Sequence, residues 1–567
     1  MMHRIVASHL NSFVTEHALE ADEKSVQFEK FANYVVMSNR IASSVELDDI
    51  TTEQNDDGTD GIAVIINEDH VISKEDAETV FSNERRNNDV EVVFVQAKTT
   101  DGFDLGDFLK FKESVLRFFS EDPYSTNSEL QQDARAAFDV AIANVPKIRH
   151  GKPSVAAAYV TTGNYETPKE LETARLKMIN ELKELGFFQN IDVRFMGRDE
   201  LVSAWVASYS AIDASLTMNS SASLPEIAGI DEAYLVVVKA KDYVEKLLVN
   251  DDGSIRGQLF EENVRHFLGA ENPVNSQIAE TLKDQESKTR FPVLNNGVTI
   301  VSPDVRVQGT MLHISNFQIV NGCQTSHVLY ENRAELTDEV MVTLKVVETT
   351  DEDVFSELVR ATNSQSKIEE SQFLSLSPIS KRVEAYFNTF DGQDGRLYFE
   401  RRDRQYVGKG ISAIRIVSLH SAAKCVCAMF LKRPDLAYRY PKQMYDGYGE
   451  TIFDIGNREI IYYASALTLY RFHLLTSNGT IPQNMRRFKW HILPLAAALA
   501  AGKNMPSVKA KKMDSYAQKI INKFSLHSAE STAIFTQAVS MVAALGAVTN
   551  DRLKRQSVLD ELLSQLV

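Results

Sequence analysis

Over the first ~200 residues, a usual size for one domain, short apolar runs alternate with stretches whose apolar residues recur at helical spacing. Residues 26–37 set Phe28, Phe31, Val35 and Val36 on one helical face. The runs 62–67, 71–73 and 90–97 read as strands, and the last is apolar enough to lie inside a sheet covered on both faces. A helix at 103–119, a strand at 155–161, a helix at 168–185, a strand at 191–196 and a helix at 200–207 follow. The predicted order is therefore α, three β, α, β, α, β, α, which belongs to an α/β layer architecture. The small polar run Asn219-Ser-Ser-Ala-Ser marks a boundary. Beyond it, strands at 233–238, 298–301 and 341–347 mix with helices at 354–361 and 379–390, an α+β pattern. From 411 onward the periodicity is mainly helical, at 460–475, 490–501, 515–524 and 533–545. Three domains are predicted, 1–218, 219–410 and 411–567, a division suited to a chain too long for one core.

Composition changes this picture little, since 44% hydrophobic and 25% charged residues are ordinary for a globular protein. The N-terminus lacks the apolar core of a secretory signal and suits an amphipathic helix. The longest apolar run, 492–501, has about half the length a bilayer crossing needs, so a cytoplasmic protein without membrane contact is expected. The net charge of −17 excludes a broad, non-specific grip on nucleic acid, which needs clustered Lys and Arg. Any such contact must be local. Basic runs stand at Arg401, Arg402 and Arg404, at Arg486, Arg487 and Lys489, and at Lys509, Lys511 and Lys512, although a solvated face is the ordinary explanation for each. Cys323, Cys425 and Cys427 are too few for a disulfide framework or a four-cysteine zinc site and are expected as buried thiols. No P-loop and no His-Glu-x-x-His occurs. Tyr462, Tyr463, Tyr470 and Phe472 recur at helical intervals, as core or as a dimer face.

Chemistry enters through three residues. Asp60 stands at the mouth of one predicted strand and Gln96-Ala-Lys98 ends the next, so a hairpin brings them to one sheet edge. Alternate residues of a strand share a face, which puts Gln96 and Lys98 together and Ala97 opposite. Phosphodiester hydrolysis calls for a carboxylate-bound Mg²⁺ that lowers the pKa of a bound water, and a cation that steadies the developing charge. Asp60 can supply the first and Lys98 the second. Taken singly, an Asp in a glycine turn is commonly just a turn and Lys98 could merely end a strand; their joint order carries the reading.

The arrangement resembles the PD-(D/E)xK nucleases, in the Mrr-type restriction-enzyme branch where Gln replaces the middle carboxylate. That resemblance implies a restriction-endonuclease-like αβββαβ core. An amide binds a hard cation more weakly than a carboxylate does, and the resemblance places the compensating acid at Glu29, within Gln27-Phe28-Glu29-Lys30-Phe31. It implies Mg²⁺ or Mn²⁺ held by Asp60, Gln96 and Glu29, nucleic acid as substrate with DNA ahead of RNA, and a homodimer for duplex cleavage.

Farther on, Phe291-Pro-Val-Leu-Asn295-Asn296-Gly297, Gln318-Ile-Val-Asn321-Gly322-Cys-Gln324-Thr325, the stretch around Arg265 and the run at Arg401 and Arg402 resemble the AIPR family of abortive infection and phage resistance, over about residues 229–454. The resemblance implies an anti-phage role with a phage-derived trigger. Asn295, Asn296, Asn321, Gln324 and Thr325 could read a nucleotide or phosphate, or could brace buried turns. Arg265, Arg401 and Arg402 could grip phosphate bidentately, or pair with the abundant acids. The alternative to a nuclease is a non-catalytic sensing module for nucleic acid or nucleotide, built on the same fold.

Overall fold

A computed structural model describes residues 2–38, 40–41, 45–52, 58–82, 87–120, 128–209, 213–249, 253, 255–260, 273–284, 286–363, 377–392, 394–401, 405–406, 409–545 and 555–566. Contacts gather the mixed α/β chain into two compact units: Met1–Ser38, Ser43–Trp205 and Phe373–Val567 form one, and Asn39–Ala42 with Val206–Gln372 form the other.

The first unit opens with α1 (Arg4–Glu16), α2 (Lys24–Ser38) and the single turn α3 (Leu47–Ile50), followed by the hairpin β1 (Gly61–Ile66) and β2 (Asp69–Val71). Asn67 and Glu68 between those strands have φ of 55° and 67°, the left-handed pair that a tight hairpin turn requires. Then come α4 (Lys74–Ser82), β3 (Val90–Lys98), α5 (Leu105–Phe118), α6 (Glu129–Ala143), β4 (Ser154–Thr161), α7 (Lys169–Glu184), β5 (Asn190–Met196) and α8 (Arg198–Tyr209). The sheet order is β2-β1-β3-β4-β5; β1 runs antiparallel to both neighbours, and β3, β4 and β5 are parallel. Ile62, Val64, Val92, Phe94, Val155 and Ala157 turn one face into a core closed by Phe108, Phe111, Phe138 and Met178 of the helices. α2 packs against β1 and β3, and its Phe31 ring meets Phe13 and Trp205 at centroid distances of 5.3 and 5.2 Å.

The helices and strands expected here from periodicity are present, except that the strand expected at 71–73 lies at Asp69–Val71, and α3, α4 and α6 were not expected. α4 buries only Ala77 and Phe81 among its apolar residues, and α6 faces the core with Ala134, Ala137 and Ala141, so neither shows a strong apolar stripe. The three strands are therefore not consecutive, because α4 separates β2 from β3.

In the same unit, the helices Leu419–Phe430, Ile460–Ser477 and Lys489–Ala501 are apolar nearly all round and form the centre of a second core, as expected of helices surrounded on all sides. Tyr462, Tyr463, Tyr470 and Phe472 belong to it, which decides for core over dimer face. All three cysteines are free and buried. Among the described residues no helix is long and apolar enough to cross a membrane. In the basic run at 486–489, two of the three cations are engaged by the fold: Arg486 bonds Asp22 at 3.1 Å and Lys489 bonds Glu46 at 3.0 Å. Lys509 pairs with Asp454.

The second unit is a seven-stranded sheet in the order β11-β8-β12-β7-β6-β10-β9. Its strands are β6 (Asp213–Ser223), β7 (Glu232–Lys239), β8 (Val298–Ser302), β9 (Asp304–Gln308), β10 (Met311–Ser315), β11 (Gln318–Asn321) and β12 (Met341–Glu348), antiparallel except for β8 beside β12. The run at 219–223, expected as a boundary, is the second half of β6 and pairs with β7. Its serines are exposed on both faces, so composition alone gave a loop signal. The break between the two units falls instead at Trp205 and Val206.

Candidate functional site

Antiparallel pairing sets Gly61 opposite Val95, which brings Asp60 beside Gln96 at the end of β3. Asp60 N–H donates to the Val95 carbonyl at 2.8 Å. Its Oδ2 accepts from Gln96 Nε2 at 2.5 Å and from the Ala97 N–H at 2.7 Å. Gln96 is 2% exposed, and its Oε1 is buried with no hydrogen-bond partner. An amide oxygen left unsatisfied in a protein interior costs free energy, so it is a donor atom in want of a cation or a proton.

Lys98, two residues on and on the same face, reaches Asp107 Oδ2 at 4.0 Å and is about one-third exposed, at 35%. Glu29 is partly buried on α2. Burial raises its carboxyl above the ordinary value, and the charges of Lys98 and Lys30 pull it back down, so Glu29 lies within electrostatic reach of Lys98. The structure thus brings together Asp60 and Gln96 by direct bonds and sets Lys98 two residues farther along the same strand, with Glu29 within electrostatic reach of Lys98.

Sequence reasoning missed three neighbours. Asp107 sits in the first turn of α5, where its N–H donates to the capping Asp104 carboxylate at 2.8 Å; the Asp-x-x-Asp spacing just after β3 was the available signal. Tyr159 is the β4 partner of Gln96 and fully buried; burial, with the nearby carboxylates of Asp107, Asp104 and Asp60, pushes its hydroxyl pKa well up. Asn33 donates to the Asp60 carbonyl at 2.9 Å. Neither of the last two carries a local sequence signal.

Among the described residues no three His, Cys, Asp or Glu side chains gather as a metal site. A hard divalent ion such as Mg²⁺ takes one or two carboxylates and keeps several waters; here the Asp60 carboxylate bonds the Gln96 amide, whose Oε1 is unpartnered, and Glu29 lies within electrostatic reach of Lys98. Such an ion would be held by two carboxylates and an amide, a weaker set than three acids.

The motif residues of the second unit cluster at one end of its sheet. Asn295 donates from Nδ2 to the Phe291 carbonyl at 3.2 Å, closing the short helix Phe291–Leu294. Asn296 is exposed, and Gly297, with φ of 74°, leads into β8. β11 ends at Asn321 opposite Thr299 of β8. Gly322, with φ of 96°, starts the helix Cys323–Glu331, whose first turn holds buried Thr325. Gln324 Oε1 accepts from Asn275 at 2.7 Å. A Cβ on Gly322 would lie 3.0 Å from the Gly297 carbonyl oxygen, so the two glycine turns lie against each other; a Cβ on Gly297 would meet the Thr343 carbonyl oxygen at 2.5 Å. Gly297→Ala should therefore cost about 1–3 kcal/mol from strain at a left-handed position, measured as a lower unfolding midpoint of the second unit.

Arg401 belongs to the first unit and is buried there, donating from Nε to Glu384 at 2.6 Å. Gln405 bonds the other oxygen of that carboxylate at 2.6 Å, so the guanidinium is engaged by the fold. Arg265 and Arg402 lie outside the described residues.

A family model described as AIPR protein matches residues 260–550, just over half of the chain, and the protein belongs to that family. Membership gives it a role in abortive-infection phage defence. The match starts later and runs farther than the resemblance read from the motifs, into the C-terminal helices, and it leaves Glu29, Asp60, Gln96 and Lys98 outside. No curated protein and no solved structure matches the chain.

Proposed function

We propose that this protein is a metal-dependent nuclease of phage defence, hydrolysing phosphodiester bonds of nucleic acid, with DNA ahead of RNA. The observation that carries the reading is the Asp60–Gln96 pair, with its buried unpartnered amide oxygen, beside Lys98 at the end of β3. Asp60, Gln96 and Glu29 would hold the ion, which when bound supplies Lewis acidity and a water of lowered pKa. Gln96 Nε2 keeps the Asp60 carboxylate turned toward β3, and the Ala97 N–H holds the same oxygen. Lys98, about one-third exposed, can reach a phosphoryl oxygen and offset the charge that builds there. Asp107 tethers Lys98 only weakly, at 4.0 Å, so the ammonium is not committed to an ion pair.

Incubation of wild type and Lys98→Ala with plasmid and with RNA, in Mg²⁺ or in EDTA, tests this. Wild type should cut at least one substrate in Mg²⁺ and none in EDTA, and Lys98→Ala should be slower by roughly 10²–10³-fold, the scale for losing one charge-stabilising group. Cleavage equal in both proteins would remove Lys98 from the chemistry. Inertness of both on every substrate, with phage-infected cell extract supplied as trigger, would favour a sensing module.

A further inference from the structure

We propose that Asn33 is a positioning residue of the candidate site: from α2 it fastens the backbone of Asp60 to the helix that carries Glu29, holding the two carboxylates in one register. The inference rests on the nuclease reading above.

Asn33 follows Glu29 by one helical turn and is fully buried. An amide in an apolar setting is costly unless its hydrogen bonds are made. Its Nδ2 makes two, to the Asp60 carbonyl at 2.9 Å and to Thr51 Oγ1 at 3.2 Å, whereas its Oδ1 is buried without a partner. The side chain is thus retained for what it donates. The next residue in β1 makes room for it, because a Cβ on Gly61 would lie 2.3 Å from Asn33 Oδ1. Asp60 is then fixed from three sides: its N–H by Val95, its carboxylate by Gln96 and Ala97, and its carbonyl by Asn33 and by the Thr52 N–H at 3.0 Å. Of these ties, the one from Asn33 comes from the helix bearing Glu29. Without it, α2 still packs through Phe28, Phe31 and Val35, but apolar contacts tolerate a slide that a hydrogen bond does not. An acid displaced by even ~1 Å is a poor ligand, since sites need their groups held within about 0.5 Å.

The test uses the full chain stripped with EDTA, titrated calorimetrically with Mn²⁺ alone, and assayed separately for kcat and KM on the substrate that wild type cuts. Asn33→Ala should weaken Mn²⁺ binding by about 10–100-fold, the range for groups that orient metal ligands, and lower kcat while KM is unchanged. Asn33→Asp keeps the volume and carries the test if the alanine variant does not fold. It puts an acceptor where the amide donates to the Asp60 carbonyl, so kcat should fall as in Asn33→Ala while KM is unchanged, a split that mere packing would not produce. Folded Asn33 variants with wild-type Mn²⁺ affinity and kcat would overturn the positioning role while leaving the nuclease reading intact. A wild type that binds no Mn²⁺ and cuts nothing would overturn the nuclease reading, and this one with it.

Discussion

Lys489→Met should destabilise the unit containing the N- and C-terminal residues by about 3–5 kcal/mol, the scale for leaving a buried charge without its partner. Lys489 is nearly buried, with Nζ 3.0 Å from Glu46 and 3.9 Å from Asp48. Asp48 is also 3.9 Å from Lys30, which bonds Asp22 at 2.9 Å, and Asp22 in turn accepts from Arg486. The C-terminal cations therefore neutralise acids that flank α2. Lys489 holds the Glu46 carboxyl well below the usual carboxylate range, against the opposing effect of burial. Burial acts to lower Lys489, but Glu46 and Asp48 carry it above its ordinary value.

Both shifts stabilise the fold between the two unfolded values, about 4.3 and about 10.4. The Glu46 contribution is lost as pH falls below that window, and the Lys489 contribution as pH rises above it. His17 and His473 add to the acid sensitivity, each held down to about 4 mainly by burial. The unfolded chain takes up protons there from about 6.5 downward while the fold does not, so stability drops as pH falls from about 6.5 toward 4. Asp76, raised to about 7 by burial, acts in the opposite sense, losing stability as pH rises toward 7. Denaturant midpoints measured against pH for wild type and Lys489→Met check both statements. Adding Glu46→Gln should restore part of the loss, because the pair is then removed together. A Lys489→Met variant as stable as wild type would mean that Glu46 and Asp48 reach water.

Asp60→Asn is expected to have the largest effect on activity, a loss of about 10³-fold or more, which corresponds to about 4 kcal/mol of transition-state stabilisation. The substitution keeps size and an acceptor oxygen for the Ala97 N–H, so the fold should survive it. The lost property is charge. Mn²⁺ binding should vanish in Asp60→Asn and persist in Lys98→Ala, since the ammonium is not a ligand. Calorimetry on both variants beside the cleavage assay separates the two roles. Retention of metal-dependent cleavage by Asp60→Asn would remove the aspartate from the site.

Much of the first sheet was legible because strand periodicity is a local property. Gln96 and Lys98 share a face because a single residue separates them, and β3 is central because it is apolar on both sides. The glycine motifs were legible as turns, and the reason for their strictness emerged only when Gly297 and Gly322 were seen to abut. Glu29 could be named by resemblance alone. Its link to Asp60 through Asn33 spans 27 residues and leaves no trace in spacing or composition. The short amphipathic α4 and the alanine-faced α6 were hidden by weak stripes, and β6 was concealed by serines.

By itself, the sequence determined the alternation of strands and helices, the shared face of Gln96 and Lys98, the absence of a broad basic surface and the burial of three thiols, since each depends on neighbours along the chain or on composition. Tertiary structure decided which acid meets Gln96, what fastens Asp60 to α2, and that Arg486 and Lys489 serve the N-terminal acids rather than a phosphate. Those contacts join residues up to more than four hundred positions apart, and a charge carries the same letter whether its partner is solvent or a buried carboxylate.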